Sequence, residues 1–177
     1  MKVLALCGSL RKQSRSLTLL QASAILCESK IDFAIFQNLG DLPLFNPDLE
    51  QDVPTSVMRL WEAIDQSDVL IIASPEYAHG ITGTLKNALD WLVGYTPFTG
   101  KPVAIFNPSH RAEHADAALK EILTTMNAQL ISEACLRIPV TACQLNAEEI
   151  ASTNPYADLI STGLTAIKKL QTEQAIP

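Results

Sequence analysis

Short apolar runs alternate with longer amphipathic stretches along most of this chain. The runs are nearly continuous in Val, Leu, Ile, Ala and Cys, which predicts strands buried on both faces. The predicted strands are Lys2–Cys7, Ile31–Gln37, Asp68–Ala73, Val103–Phe106 and Gln129–Ile138. The stretches between and after them carry apolar residues at helical spacing. The predicted helices are Ser16–Glu28, a segment running from Thr55 or Ser56 through Ile64, Thr84–Val93, Ala115–Met126, and Pro155–Gln171 with Pro155 in its first turn.

Strand and helix alternate five times, which predicts an α/β fold with a parallel sheet covered by helices on both faces. Right-handed crossovers leave few arrangements of five such strands, and the doubly wound order 2-1-3-4-5 is the natural one. We therefore expect a flavodoxin-like three-layer sandwich, formed as a single domain over residues 1–177. Residues 38–54 are polar and contain three prolines, so they predict a long loop over the strand ends.

Composition narrows the function classes. The chain has 177 residues, 47% hydrophobic and 18% charged, and a net charge of −6, which argues against a nucleic-acid surface. No stretch approaches the roughly 20 apolar residues of a membrane span. The four cysteines lack zinc-ligand spacing, so we expect no metal, free thiols and a reducing compartment. These observations predict a soluble, cytoplasmic protein without nucleic-acid or membrane partners.

The loop after the first strand, residues 8–16, is rich in hydroxyls and cations. It leads into a helix, whose first amides and positive dipole end favour a phosphate. The candidate donors are Ser9, Arg11, Ser14 and Ser16, with Arg15 within reach. A single glycine, Gly8, does not make the Gly-x-Gly-x-x-Gly pattern of a dinucleotide site, and no triphosphate-binding loop is present. A serine-rich helix cap without a ligand remains the alternative.

The loop after the third strand suits the edge of a flat ring. Pro75 stiffens the exit from the strand, and Tyr77 offers a stacking face. We expect Gly80 and Gly83 to permit either close approach or unusual dihedral angles, so that the chain can turn before the next helix. Because both loops follow neighbouring strands at the switch point of the sheet, a phosphorylated aromatic cofactor is the economical interpretation.

Several side chains near this loop leave alternatives open. Glu76 is either a proton donor or a carboxylate that caps a helix or faces solvent. His79 either binds substrate or donates a proton, or it contacts the site indirectly or lies at an interface. The apolar residues from Leu85 to Tyr95, followed by Phe98, exceed what one sheet needs and favour a subunit interface.

At these positions the chain resembles the NADPH-dependent FMN reductase family of flavodoxin-like proteins, which includes chromate and quinone reductases. The resemblance covers about residues 1–130. Its motifs are Gly8-Ser-Leu-Arg with Ser14-x-Ser16, Leu42-Pro-Leu-Phe-Asn46, Pro75-Glu-Tyr with Gly80 and Gly83, Leu85-Lys-Asn-Ala-Leu-Asp-Trp91, and Lys101-Pro-Val-Ala104 leading into Ser109. Three positions differ from residues common in the family: Ser16 and Ala78 stand where asparagine is frequent, and Thr82 replaces a frequent proline.

The resemblance implies one non-covalent FMN and NADPH or NADH as the reductant. It places the phosphate on Ser9, Arg11, Ser14 and Ser16, and the flavin ring against Pro75, Glu76, Tyr77 and Ala78. Ser109 and its neighbours close the site from the fourth strand. Arg111, in that loop, is the residue we expect to favour NADPH through its 2′-phosphate, with Arg11 and Arg15 as rivals.

The predicted activity is an FMN-dependent NAD(P)H oxidoreductase that passes electrons to free flavin, quinone, an azo compound or a metal oxyanion. The family is typically dimeric or tetrameric, which predicts a homodimer or homotetramer. Hydride transfer depends on positioning, so the sequence assigns no catalytic residue. A flavodoxin-type electron carrier and a non-catalytic flavin-binding module are the alternatives.

Overall fold

Parallel strands form the central sheet of the protein. The computed structural model describes the backbone of residues 1–174 and the side chains of residues 1–170. Within that part of the chain the strands are β1 Lys2–Cys7, β2 Asp32–Ile35, β3 Val69–Ala73, β4 Pro102–Asn107, β5 Gln129–Leu130 and β6 Leu136–Arg137. They lie in the order β2-β1-β3-β4, with β5 and β6 both paired to β4. This arrangement confirms the predicted α/β fold and strand order.

The prediction of one fifth strand over residues 129–138 was wrong in detail. Two short strands stand in its place, β5 against the start of β4 and β6 against its end. Between them the chain forms a 3₁₀ turn over Ser132–Ala134, in which the amide of Ala134 bonds to the carbonyl of Ile131. Ser, Glu and Ala have low strand propensity, and the turn buries Ala134 beneath the edge of the sheet.

The helices cover both faces of the sheet. Their bounds are α1 Arg15–Leu26, α2 Thr55–Asp65, α3 Gly83–Val93, α4 Glu113–Thr125, α5 Ala147–Ser152 and α6 Tyr156–Gln174. The α1, α5 and α6 helices pack on the face formed by Val3, Ala5 and Cys7, and α2, α3 and α4 pack on the face formed by Leu4 and Leu6. Alternate residues of β1 therefore enter opposite cores, as the period of a strand requires.

Two helical features differ from expectation. The sequence pattern missed α5, which spans only six residues. The α6 helix begins at Tyr156, so Pro155 precedes it instead of lying in its first turn.

The predicted loop of residues 38–54 holds two 3₁₀ segments, Leu39–Asp41 and Pro47–Gln51. None of the helices within the described residues is long and apolar enough to cross a membrane.

The parallel register brings three loops to one edge of the sheet. Cys7, the last residue of β1, lies opposite Ala73, the last residue of β3. The neighbouring β4 runs in the same direction and ends at Asn107. The loops after β1, β3 and β4 therefore begin side by side, where ligands bind in open α/β sheets.

Candidate functional site

The β1–α1 loop presents unpaired amides at the start of a helix. Ser14 is the N-cap of α1, and its hydroxyl oxygen accepts a hydrogen bond from the amide of Leu17 at 3.2 Å. The amides of residues 9, 10, 12, 13, 15 and 16 donate to no acceptor within residues 1–174. Ser14 and Ser16 are buried, whereas the Arg11 side chain is exposed. The set contains amides, hydroxyls and a guanidinium, which is the donor chemistry that a phosphate needs.

Arg15 does not point freely into solvent. Its Nη1 donates to the carbonyl oxygen of Leu145 at 2.7 Å, which joins the start of α1 to the segment before α5. Of the cations that the sequence offered for the phosphate, Arg11 thus remains unpaired among the described residues, while Arg15 also holds the fold.

At Gly8 the loop after β1 contacts the loop after β3. A Cβ on Gly8 would lie 2.3 Å from Oγ and 2.7 Å from Cβ of Ser74, so only glycine fits there. The Thr82 hydroxyl donates to the Gly8 carbonyl at 2.6 Å and accepts from the amide of Leu85 at 3.2 Å. Thr82 thus caps α3 and ties the two loops together.

The β3–α3 loop contains a closed two-residue hairpin. Tyr77 and Gly80 exchange backbone hydrogen bonds of 3.1 and 3.0 Å. Ala78 and His79, the two central residues, have φ of +48° and +59°. Positive φ at both central positions is the mark of a type I′ turn, which Asn and Gly adopt more readily than Ala. Of the two roles expected for Gly80 and Gly83, the supply of unusual dihedral angles is excluded, because neither has positive φ.

Two contacts hold this loop against the start of α4. Oε2 of Glu76 accepts a hydrogen bond from the amide of Ala115 at 2.8 Å. Of the two sequence-based interpretations of Glu76, the structure supports the capping carboxylate. The rings of His79 and His114 stack with centroids 4.3 Å apart and an interplanar angle of 12°. The loop that lines the candidate ring site is therefore coupled to the loop after β4.

Asn107, which the sequence analysis did not single out, organises the β4–α4 loop. Its side chain is buried, donates to the carbonyl of Ala112 at 3.0 Å and accepts from the amide of Ser109 at 3.0 Å. The Ser109 hydroxyl oxygen in turn accepts from the amide of Arg111 at 3.1 Å. The signal available in the sequence was an asparagine closing an apolar strand, a residue type that binds its own following backbone.

The motifs at residues 42–46 and 85–91 bind one another. Asn87 accepts from the amide of Phe45 at 2.8 Å and donates to the carbonyl of Pro43 at 3.0 Å. Nε1 of Trp91 also donates to that carbonyl, at 2.8 Å. These contacts fix the loop while Leu44 stays 83% exposed at its tip.

The apolar residues of the α3 region pack inside the chain. Leu85, Leu89, Leu92 and Phe98 are each at most 1% exposed and belong to the core beneath α2, α3 and α4. The excess apolar surface inferred from the sequence therefore closes on the protein's own core. These buried residues are not available to a second copy, whereas Val93 at the end of α3 is 68% exposed. The oligomeric state stays a prediction.

The cysteines do not supply a reactive thiolate next to the loops. Burial raises the pKa of the Cys7 thiol, against smaller opposing effects of the Ser9 carbonyl and the Ser14 hydroxyl. Burial also raises the pKa of the Cys135 thiol, and it raises that of Cys27 to about 11 with help from the Glu28 charge. Thiols that remain protonated at neutral pH are poor nucleophiles. Among the described residues, no group of three or more His, Cys, Asp or Glu side chains is placed to hold a metal.

Comparison with known proteins identifies the family. A family model described as NADPH-dependent FMN reductase matches residues 1–141. The chain belongs to the NADPH-dependent FMN reductase family. The match covers the β1–α1, β3–α3 and β4–α4 loops described above and ends just before α5.

Relatives of this family member are named as quinone-reducing enzymes. A 2-hydroxy-1,4-benzoquinone reductase of Burkholderia sp is 38% identical over 112 residues, which cover 62% of this chain and 61%, less than two thirds, of that protein. A quinone reductase of Escherichia coli K12 is 31% identical over 140 residues, which cover 75% of this chain and 74% of that protein.

A solved structure shares the fold over almost the full length. It is FerB, a flavoenzyme NAD(P)H:(acceptor) oxidoreductase from Paracoccus denitrificans, with a TM-score of 0.77 and 30% identity over 95% of this chain and 97% of the other. An FMN-dependent NADH-azoreductase from Bacillus anthracis is 14% identical with a TM-score of 0.59, which shows the fold alone. The predicted flavodoxin-like architecture is thus confirmed.

Proposed function

We propose that this FMN-dependent NAD(P)H oxidoreductase reduces a small quinone or free flavin by two electrons, using FMN held across the three loops at the carboxyl edge of the sheet. The observation that carries the proposal is the group of unpaired amides in residues 9–16 beside a second loop fixed to the first by the contact between Gly8 and Thr82. We further propose that residues 1–177 act as one flavin-binding domain.

The phosphate end of FMN would lie on Ser9, Arg11, Ser14 and Ser16. These residues fit the group, because the α1 N-terminus offers amides without acceptors and a positive dipole end. The buried serines place hydroxyls beside those amides, and the exposed Arg11 has the reach to close over a dianion with two hydrogen bonds.

The ring end would lie on Pro75, Glu76, Tyr77 and Ala78. The closed turn at residues 77–80 fixes the loop backbone, so its amides are held in place for polar ring atoms. Tyr77, at 56% exposed, offers an aromatic face at the edge of the site. The turn of Ser109 and Arg111 would close the site from β4.

The bound flavin supplies the hydride chemistry between NAD(P)H and the acceptor. The residues of this chain bind it, orient its ring and restrict access of water. Amides of the β3–α3 and β4–α4 loops without an acceptor within residues 1–174, such as those of Ala78 and His110, would stabilise negative charge at the ring edge. No acid or base of the protein is required for hydride transfer.

The sequence alternatives of an electron carrier and a non-catalytic flavin module do not agree with a family of reductases. Steady-state oxidation of NADPH with menadione or free FMN as acceptor tests the enzyme directly. We expect multiple turnovers in which one quinone is consumed per NADPH. A protein that binds FMN yet completes no more than one turnover would match the alternatives.

We also propose that the enzyme works in the cytoplasm as a homodimer or homotetramer. Raised thiol pKa values and free cysteines suit a reducing compartment. Leu44, Met58 and Val93 are 83%, 48% and 68% exposed, and they offer apolar contacts to a second copy. Light scattering at micromolar concentration tests the assembly, and a monomer there would contradict it.

A further inference from the structure

A depression of about 640 Å³ lies beside the β1–α1 loop, at the start of α1. Its basic lining residues are Arg11, Lys12 and Arg15, and the other lining residues are Gln13, Thr18, Gln144, Leu145 and Asn146. The lining contains no carboxylate. None of the three cations forms a salt bridge with a side chain within residues 1–170. In a chain of net charge −6 this is a local positive field that favours an anion.

The depression is built by a contact between distant parts of the chain. Arg15 donates from Nη1 to the carbonyl oxygen of Leu145, which holds the segment before α5 against α1. That bond uses one donor of the guanidinium and leaves the others for a ligand. The volume lies within the range of about 300–1,000 Å³ that is usual for small-molecule sites, and it exceeds the need of a single phosphate.

The depression continues into a second one of about 430 Å³, because Thr18 and Asn146 line both. The second part is more apolar and contains Ala24, Ile25 and Ile35, with Glu148 at its edge. Ile25 is 51% exposed there. A cationic end joined to an apolar trough matches a ligand with a phosphate at one end and a flat base at the other.

From this arrangement we infer that the depression binds the adenosine 2′-phosphate end of NADPH, with Lys12 and Arg15 on the 2′-phosphate and the adenine beside Thr18 and Asn146, where the two depressions meet. The inference rests on the proposed function, which supplies NADPH as reductant. The depression adjoins the phosphate loop, since Arg11 belongs to both.

Arg111, the residue that the sequence favoured for this role, has less suitable surroundings. It lies just before the first turn of α4, which carries Glu113 and Asp116. The Glu76 carboxylate also binds the start of that helix. Two of these carboxylates are paired with cations, Glu113 with Arg137 and Asp116 with Lys120, which leaves Glu76 to oppose a second dianion there. The lining of the depression around Lys12 holds no carboxylate, and Glu148 lines only the adjoining depression.

Calorimetry on the FMN-loaded protein tests the inference with adenosine 2′,5′-bisphosphate as the probe and adenosine 5′-phosphate as its comparison. We expect the bisphosphate to bind at least about tenfold more tightly, because it alone carries the 2′-phosphate. Lys12→Gln should raise the dissociation constant of the bisphosphate about threefold to tenfold, and Lys12→Glu should raise it further. The monophosphate should be nearly unaffected by Lys12→Gln. Lys30→Gln removes a positive charge that lies beyond the C-terminus of α1, and it should change the affinity for neither probe.

Kinetics and FMN content complete the test. Lys12→Gln should raise the KM for NADPH without changing kcat, the KM for NADH or the FMN content. Equal probe affinity in wild type, Lys12→Gln and Lys12→Glu would overturn the inference, as would parallel loss of FMN. A selective NADPH defect in Arg111→Ala alone would move the 2′-phosphate to the β4–α4 loop. Failure of the wild type to oxidise either coenzyme would instead overturn the proposed function.

Discussion

The hydroxyl of Thr82 donates a 2.6 Å hydrogen bond to the carbonyl oxygen of Gly8, and the two residues lie 74 positions apart in the chain. This bond joins the β1 loop, where the FMN phosphate is proposed to bind, to the start of α3, just after the loop proposed for the ring. The binding of both ends of one elongated cofactor therefore depends on the contact between Gly8 and Thr82. This contact is buried, so the surrounding side chains hold the two loops at a fixed separation.

Replacement of Gly8 should disrupt the contact between the loops after β1 and β3. In Gly8→Ala the new Cβ would meet Ser74 Cβ at 2.7 Å, and a Cβ cannot rotate away. We expect the free energy of unfolding to fall by about 1–3 kcal/mol, the usual cost of overpacking, and FMN affinity to fall as the loops separate. Urea unfolding of the apoprotein and FMN titration measure the two effects.

Gly83→Ala is the matched control for that substitution. A Cβ on Gly83 meets no atom within 4 Å, and the residue begins α3 without positive φ. Alanine should therefore leave stability unchanged or raise it by up to about 1 kcal/mol. Equal destabilisation by both alanines would show that the Gly8 contact is not specific.

The Ala78 backbone should be strained in the native protein. At φ +48° an alanine carries a cost of about 1–2 kcal/mol relative to a residue that tolerates the left-handed region. Ala78→Asn should raise the free energy of unfolding by about 0.5–1 kcal/mol, since asparagine suits type I′ turns. The same change at Ala117, an exposed position of α4, should lower it by about 0.5 kcal/mol. If urea unfolding shows that asparagine lowers the free energy of unfolding at both sites, strain at Ala78 is excluded.

Stability should decline on the alkaline side partly through Cys27. Burial and the Glu28 charge raise the pKa of this thiol from an ordinary 9.0 to about 11. Between these values the unfolded chain loses the proton first, so the folded state is disfavoured as pH rises from 9 through 11. Cys27→Ala should flatten the dependence of unfolding free energy on pH in that window. An unchanged slope between pH 9 and 11 would place the thiol in an environment like that of the unfolded chain.

Much of the fold was predictable because the buried strands are continuous apolar runs and the longer helices keep a clear period. The α5 helix was missed because its six residues supply only three apolar markers, Ala147, Ile150 and Ala151, too few to show a helical period. Its capping box, in which Asn146 and Glu149 bind each other's amides, was the available signal.

The site was predictable to the level of loops, not of geometry. The phosphate donors follow from local composition and helix termini. Positive φ at Ala78 and His79 does not, because alanine does not favour it. The turn is closed locally by the Tyr77–Gly80 hydrogen bonds, and His79 also stacks on the distant His114. The interface argument rested on apolar residues of α3, and the sequence cannot show that many of them meet α2 and the loop of residues 42–46 in the same chain. The predicted subunit interface itself stays a prediction.

The central claim is that the β1–α1 loop holds the phosphate of FMN, and its most direct test compares FMN with riboflavin. Fluorescence titration of the apoprotein should show FMN binding at least about 100-fold more tightly, since several charge-assisted hydrogen bonds depend on the phosphate. Arg11→Ala should weaken the binding of FMN about tenfold and leave the affinity for riboflavin unchanged. Equal affinities of wild type for FMN and riboflavin would contradict the account.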